Sequence, residues 1–219
     1  MGQPDTITAI KSPADEIDRL KGELRAARAK VTELEARADI DPLLDTLNRR
    51  GFERELARSI AYVKRYGTDA VLIYLDLDGF KAVNDRCGHS AGDELLKAVA
   101  IALAGKVRAS DVVGRLGGDE FALLLWNLSE TDARAKAAVL EADIDALTFT
   151  FDGQSITAGA SAGVTILGPS SDAARALEEA DSAMYVRKAQ RRHELPADRA
   201  GSPFTPAAQT ANPSKRRHA

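Results

Sequence analysis

Asp111-Val112-Val113-Gly114-Arg115-Leu116-Gly117-Gly118-Asp119-Glu120-Phe121-Ala122-Leu123-Leu124-Leu125-Trp126 reads as two apolar strands around a two-glycine turn. Gly-Gly admits positive φ and lets a backbone approach a ligand closely, so the stretch predicts a hairpin. Two adjacent acids, Asp119 and Glu120, follow the turn directly. That is an unusual choice for a bare connection. One carboxylate can point at a metal while its neighbour faces away. A Gly-Gly hairpin is common, however, and alone it leaves the function open.

The next acids upstream narrow the reading. In Tyr74-Leu75-Asp76-Leu77-Asp78-Gly79-Phe80 an apolar run ends in two carboxylates and a glycine. Side chains alternate across a strand, so Asp76 and Asp78 project to one side. Such a pair is a hard-oxygen site suited to Mg²⁺ holding a polyphosphate. It could equally cap the loop after a buried strand. Asp76 and Asp78 taken with Asp119 and Glu120 suggest a two-metal phosphoryl or nucleotidyl transfer centre.

Working outward, helical periodicity covers 50–65, 91–106, 131–147 and 172–190. The run 70–77 reads as a buried strand. The segments 149–151 and 156–167 flank Asp152-Gly153, a hairpin turn signal. The pattern predicts an α/β (α+β) domain over about 41–192, with a central, mostly antiparallel sheet flanked by helices. Cys87 falls in a loop-like segment with no base pattern around it and reads as filler.

Before that domain lies a heptad. Ile17, Leu20, Leu24, Ala27, Val31, Leu34 and Ala38 alternate by three and four. Glu16, Glu23 and Lys30 at g face Lys21, Arg28 and Glu35 at e′, opposite in sign each time. This favours a parallel two-stranded coil in register over a lone helix packed on its own domain. Gly22, at an f position, costs about 1 kcal/mol of helix propensity and keeps the coil marginal alone. The expected layout is a leader over 1–14, a dimerising helix over 15–40, the catalytic domain over 41–192 and a disordered, proline-rich tail over 193–219. The basic end of that tail, Lys215-Arg216-Arg217-His218, reads as a solvated terminus.

Composition excludes some partners. The net charge of −3 gives no electrostatic footprint for nucleic acid. One cysteine allows no internal disulfide, which suits a reducing compartment. No signal peptide is legible, and no apolar run reaches the ~18–20 residues needed to span a bilayer. The expectation is a cytoplasmic protein without a membrane span.

The segment Gly117–Phe121 resembles the signature of the GGDEF family, the diguanylate cyclases. Further segments match that family in order. Phe80-Lys81-Ala82-Val83-Asn84-Asp85 resembles its FKxxND stretch. Gly88-His89-Ser90-Ala91-Gly92-Asp93 resembles its GHxxGD stretch. The segment from Ala180 to Lys188 resembles its late ADxAxYxxK helix, and Asn48-Arg49-Arg50 its opening motif. The resemblance covers about 41–192 and implies a nucleotide-cyclase-like fold that condenses two GTP into cyclic di-GMP with release of pyrophosphate.

By that resemblance, Asp76, the carbonyl of Leu77 and Asp119 would hold Mg²⁺, with Glu120 in support. Asp119 would also help deprotonate the 3′-hydroxyl. Two Mg²⁺ per site are implied, with Mn²⁺ as the substitute. Lys81, Lys188 and Arg192 would contact phosphates. Asn84 and Asp93 would read the guanine edge, because a carboxylate accepts from N1–H and N2–H₂ while an asparagine both donates and accepts. His89 would lie nearby, though alone it could be a structural loop histidine. Gly117 and Gly118 would let the backbone approach the nucleotide.

Arg108-Ala109-Ser110-Asp111 falls where the family has an inhibitory RxxD site for the product. A second arginine from the next helix is not obvious, with Arg134 the candidate. The opening motif departs from the family's DxLTGLxNR, since Leu44-Asp45 replaces its Thr-Gly pair.

One domain would hold one nucleotide, so the reaction requires a homodimer. The input signal is not legible, which leaves room for a regulatory partner protein. Two other readings remain: a receptor or scaffold for GTP or cyclic di-GMP, and another two-metal nucleotidyl cyclase. The retained acids, Lys81, Asn84 and Asp93 weigh against both.

Overall fold

Nine residues, Ala70–Asp78, form the strand around which the domain is built. In this computed structural model, which describes residues 13–194 and 204–205, the chain divides into two units, up to Asp39 and from Ile40 onward. In the first unit, α1 runs Pro13–Ala38. Ile17, Leu20 and Leu24 on it are about half exposed, a stripe of large apolar side chains left open among the described residues. The g-position acids Glu16 and Glu23 both pair with Arg19 of the same helix. The side chains of Val31, Leu34 and Glu35 lie outside the described residues, as does the segment 1–12 of the expected leader.

In the second unit, the elements are β1 (Leu47–Asn48), α2 (Arg49–Tyr66), β2 (Ala70–Asp78), α3 (Phe80–Cys87), α4 (His89–Ala104), β3 (Val112–Gly117) and β4 (Glu120–Trp126). There follow α5 (Glu130–Asp145), β5 (Thr148–Phe151), β6 (Gln154–Thr157), β7 (Gly159–Leu167), α6 (Ala173–Glu194) and β8 (Phe204–Thr205). The main sheet has the order β1-β3-β4-β2-β7, antiparallel except for β1 on β3. This is the expected mostly antiparallel sheet between helices.

Alternation along β2 explains the layers. Val71, Ile73, Leu75 and Leu77 face α4 and α5 with Leu95, Leu96, Leu103, Leu140 and Ile144. Leu72 and Tyr74 face α2 and α6 with Phe52, Leu56 and Met184. Asp76 and Asp78 continue the second set, so both acids leave the sheet toward α6. The expectation that they share a side is met.

Three local expectations change. The segment around Cys87, read as loop-like, belongs to the helix α3. Gly79 starts it at φ +79, and Cys87 closes it rather than sitting in a loop. The run 156–167, read as one strand, breaks at Ala158, so that β6 pairs with β5 in a second sheet while β7 pairs with β2. Phe204-Thr205, within the segment expected to be disordered, pairs with β6 as β8. An edge strand presents unpaired N–H and C=O groups, and a Phe-Thr pair suits such a partner. The segments 195–203 and 206–219, including the basic end, lie outside the described residues. Among the described residues no helix is long and apolar enough to cross a membrane.

The altered opening motif keeps its turn by other means. Asp41 Oδ1 accepts from the N–H groups of Leu43 and Leu44 at 2.9 and 3.0 Å. Asp45 stands at φ +54, in the place of the family's glycine. Aspartate tolerates the left-handed region better than most residues, but not as well as glycine. Asp45→Gly is therefore expected to stabilise the domain by about 0.5–1 kcal/mol, less than the full relief because glycine also loosens the unfolded chain. Thermal melts of the two proteins check it.

Candidate active site

The hairpin of β3 and β4 places its tip one residue later than the sequence suggests. Gly117 (φ +153) pairs with Glu120 beyond a bulge, and Gly118 (φ +50) and Asp119 form the two-residue turn. Arg115 grips this tip: its Nε and Nη2 donate to the Gly118 carbonyl at 3.0 and 2.8 Å. Its Nη1 meets Asp41 Oδ2 at 3.2 Å, which ties the opening turn to the hairpin.

Register brings the acids together. Asp76 lies opposite Glu120, and the Leu77 N–H donates to the Asp119 carbonyl at 3.2 Å. The two adjacent acids then separate. Glu120 turns to Arg49 (3.4 Å) and to the buried Tyr74 hydroxyl, while Asp119 feels the charges of Asp76 and Lys188. Arg49 also donates to the Leu116 carbonyl at 2.8 Å. Burial first, and then Glu120, push the Tyr74 hydroxyl well above its ordinary pKa, so it stays a proton donor to that carboxylate.

Burial likewise raises the Asp119 carboxyl, helped by the negative charge of Asp76. Asp78 is raised mainly by burial too, although Ser161, Lys188 and Arg191 pull the other way. At neutral pH these ionised acids work against the fold, and a bound cation would relieve them.

The last helix supplies the cations. Lys188 pairs with Asp76, and its Nζ lies 3.7 Å from Asp78 Oδ1. Arg192, expected beside it, is exposed. Arg191 is the arginine that points inward. It binds Asp145 through both carboxylate oxygens at 2.7 and 2.8 Å, Glu141 at 3.3 Å and Asp78 at 3.5 Å. Glu141 is itself buried, accepting from Arg187 at 2.9 Å and from the Ala162 N–H. Sequence reasoning missed Arg191, Glu141, Asp145, Tyr74 and Arg49. A buried arginine in a run of three basic residues has no sequence signal besides helical phase.

On the other side of β2, α3 and α4 cross closely. A Cβ on Gly92 would stand 2.0 Å from Asn84 Oδ1, so any other residue there would push the Asn84 side chain out of its present place. That Asn84 oxygen is buried and has no hydrogen-bond partner. A buried acceptor without a partner is costly, and a ligand donor in this crevice would satisfy it. Asp93 follows Gly92 and is exposed, as are Lys81 and His89.

The RxxD segment is a tight turn. Asp111 accepts from the Arg108 N–H at 2.8 Å and from the Trp126 N–H at 3.2 Å. Arg134 does not face this turn. It pairs with Glu130 and lines a groove of about 400 Å³ between α5 and α6. The side of α5 toward the turn carries Lys136 and Asp143, which bond the Lys106 carbonyl and ammonium. Residues 134 and 136 lie on nearly opposite sides of a helix, which is why a nearby arginine in sequence is not one in space.

The acids suit a hard divalent cation. The carboxylates of Asp76 and Asp119 are hard oxygen donors, and the lysine ammonium on Asp76 shows that the position attracts positive charge. Among the described residues, no three His, Cys, Asp or Glu side chains already converge on one point.

Residues 38–194 match the family described as diguanylate cyclase, GGDEF domain. The chain belongs to the GGDEF family. This GGDEF chain is 37% identical over 163 residues to the probable diguanylate cyclase DgcE of Escherichia coli, covering 74% of its own length and 15% of that protein. It is 34% identical over 192 residues to the diguanylate cyclase TpbB of Pseudomonas aeruginosa, covering 85% of itself and 44% of TpbB. It thus spans less than half of either curated relative. The crystal structure of the coiled coil and GGDEF domain of DgcB from Caulobacter crescentus, in complex with c-di-GMP, shares the fold. Its TM-score is 0.69 at 23% identity, covering 82% of this chain and 96% of that one.

Proposed function

We propose that this GGDEF chain is a diguanylate cyclase that condenses two GTP into cyclic di-GMP and two pyrophosphates. The observation that carries the reading is the meeting of Asp76, Asp119 and Lys188 at one end of the sheet, with the unpartnered Asn84 oxygen on the adjoining helix pair. Asp76, Asp119 and the Leu77 carbonyl would hold the metal, two Mg²⁺ per site, with Mn²⁺ able to replace it, and Glu120, turned to Arg49, would support the site. Bound there, the metal would neutralise the triphosphate and lower the pKa of the attacking 3′-hydroxyl.

The chain's own residues do the rest. Asn84 and Asp93 orient guanine, with His89 beside it. Gly117 and Gly118 leave room for the nucleotide along the hairpin backbone. Lys81, Lys188 and Arg192 take phosphate charge, and Asp119 receives the hydroxyl proton. Each 3′-oxygen bonds the α-phosphorus of the other GTP, and the α–β bridging oxygen departs with pyrophosphate.

Two half-sites must face each other, and the half-exposed Ile17, Leu20 and Leu24 stripe supports a parallel homodimer through α1. A tether of this kind makes the encounter effectively intramolecular. The expected location is the cytoplasm. Arg108 and Asp111 form the proposed inhibitory contact for the product. Asp111 spends two of about four lone-pair positions on backbone N–H groups, which leaves capacity for guanine donors.

Incubation of the chain with GTP and Mg²⁺, followed by chromatography, is expected to yield cyclic di-GMP and pyrophosphate. In the full chain, Leu20→Asp with Leu24→Asp should lower turnover about tenfold or more at low protein concentration, with recovery as concentration rises. A verified dimer that binds GTP and forms no cyclic product would instead point to a receptor.

A further inference from the structure

The ammonium of Lys188 lies against Asp76, the carboxylate proposed above as a metal ligand. Its Nζ is also 3.7 Å from Asp78. The side chains of Lys188 and Asp76 are only 22% and 16% exposed, so water screens the pair weakly. The helix beneath it is fixed. Arg187 and Arg191, on either side of Lys188, are bound to Glu141 and Asp145. What can move is the lysine's flexible four-carbon stem.

We propose that Lys188 is a placeholder cation, which holds Asp76 until a divalent metal arrives and then transfers to the nucleotide's phosphates, making metal and nucleotide binding interdependent. The inference rests on the metal and GTP reading above.

Charge accounting gives the direction. Asp76 and Asp119 carry two negative charges, and Lys188 offsets one. A lone divalent cation must displace the ammonium from Asp76, and it then leaves Lys188 short of counter-charge in a half-buried place, with only Asp78, a carboxylate it shares with Arg191. A triphosphate brought with the metal supplies that counter-charge. Lys188 therefore opposes metal alone and favours metal together with nucleotide. By linkage, each ligand must tighten the other by one common factor.

The test is Mn²⁺ binding to the full chain, followed by electron paramagnetic resonance, with and without the α,β-methylene analogue of GTP. Lys188→Met keeps most of the stem and removes the charge, and Lys188→Gln is the second variant should Met disturb folding. Without nucleotide, either variant is expected to bind Mn²⁺ about tenfold more tightly than the parent chain. The factor by which the analogue tightens Mn²⁺ should shrink in the same variants, and Lys188→Arg should restore weak binding of metal alone.

Unchanged or weaker Mn²⁺ affinity in both neutral variants would overturn the placeholder role. A parent chain that binds no Mn²⁺ even with the analogue would overturn it together with the metal reading. A parent chain that forms no cyclic di-GMP, while its variants gain Mn²⁺ affinity, would support the placeholder and sink only the cyclase reading.

Discussion

Asp119→Asn is expected to reduce cyclic di-GMP formation by about 10³-fold or more, while the metal-free protein melts at a slightly higher temperature. The two effects share one cause. Asp119 is placed where burial and the charge of Asp76 disfavour its ionised form. A carboxyl whose native pKa lies above its unfolded value gives its full stabilising contribution below the unfolded value. That contribution is lost as pH rises through the native value. At pH 7 the ionised group therefore burdens the metal-free fold, and asparagine removes the burden. It also removes the negative ligand and proton acceptor that the proposed chemistry needs. Product formation by chromatography, with thermal melts in chelator, checks both halves. A variant that loses activity together with stability would assign Asp119 a structural role.

Gly163→Ala is expected to cost about 3 kcal/mol or more, lowering the melting temperature by about 6–12 °C. A Cβ built there would stand 2.1 Å from the Ala180 carbonyl oxygen and 2.2 Å from the Met184 nitrogen. Both are backbone atoms of α6, so no rotamer change relieves the clash. The helix must lift from β7, and it carries Lys188 and Arg191 with it. The Asp76 and Asp78 contacts of those residues would stretch accordingly. Melting curves measure the stability cost, and residual turnover well below the wild-type rate at temperatures where the variant is folded would report the displaced cations. Near-native stability would mean that α6 sits less tightly on the sheet than these distances require.

What could be read beforehand follows from where the signal resides. The β2 and β4 strands are continuous apolar runs ended by acids and glycines, and their pairing puts Asp76 opposite Glu120 by register alone. Eight residues of α3 give barely two turns, with Asn84 and Asp85 favouring turns locally, so its helicity comes from packing against α4 around Gly92. The break at Ala158 carries no proline or Asx-Gly signal. It arises because β6 and β7 belong to different sheets. Arg191 was hidden for another reason. In the run Arg191-Arg192-His193, choosing the inward residue requires the phase of α6, which is set by the close contact at Gly163. Asp41 and Arg115 stand 74 residues apart, and no local pattern joins them.

The grip of Arg115 on the Gly118 carbonyl, with Asp41 behind it, has an energetic meaning for the reaction. The tip that presents Asp119 is oriented by bonds formed during folding. Its dipoles need little reorganisation when charge builds up on the reacting phosphate, because the ordering cost has been met before substrate arrives. A hairpin tip free to wander would incur that cost at every turnover.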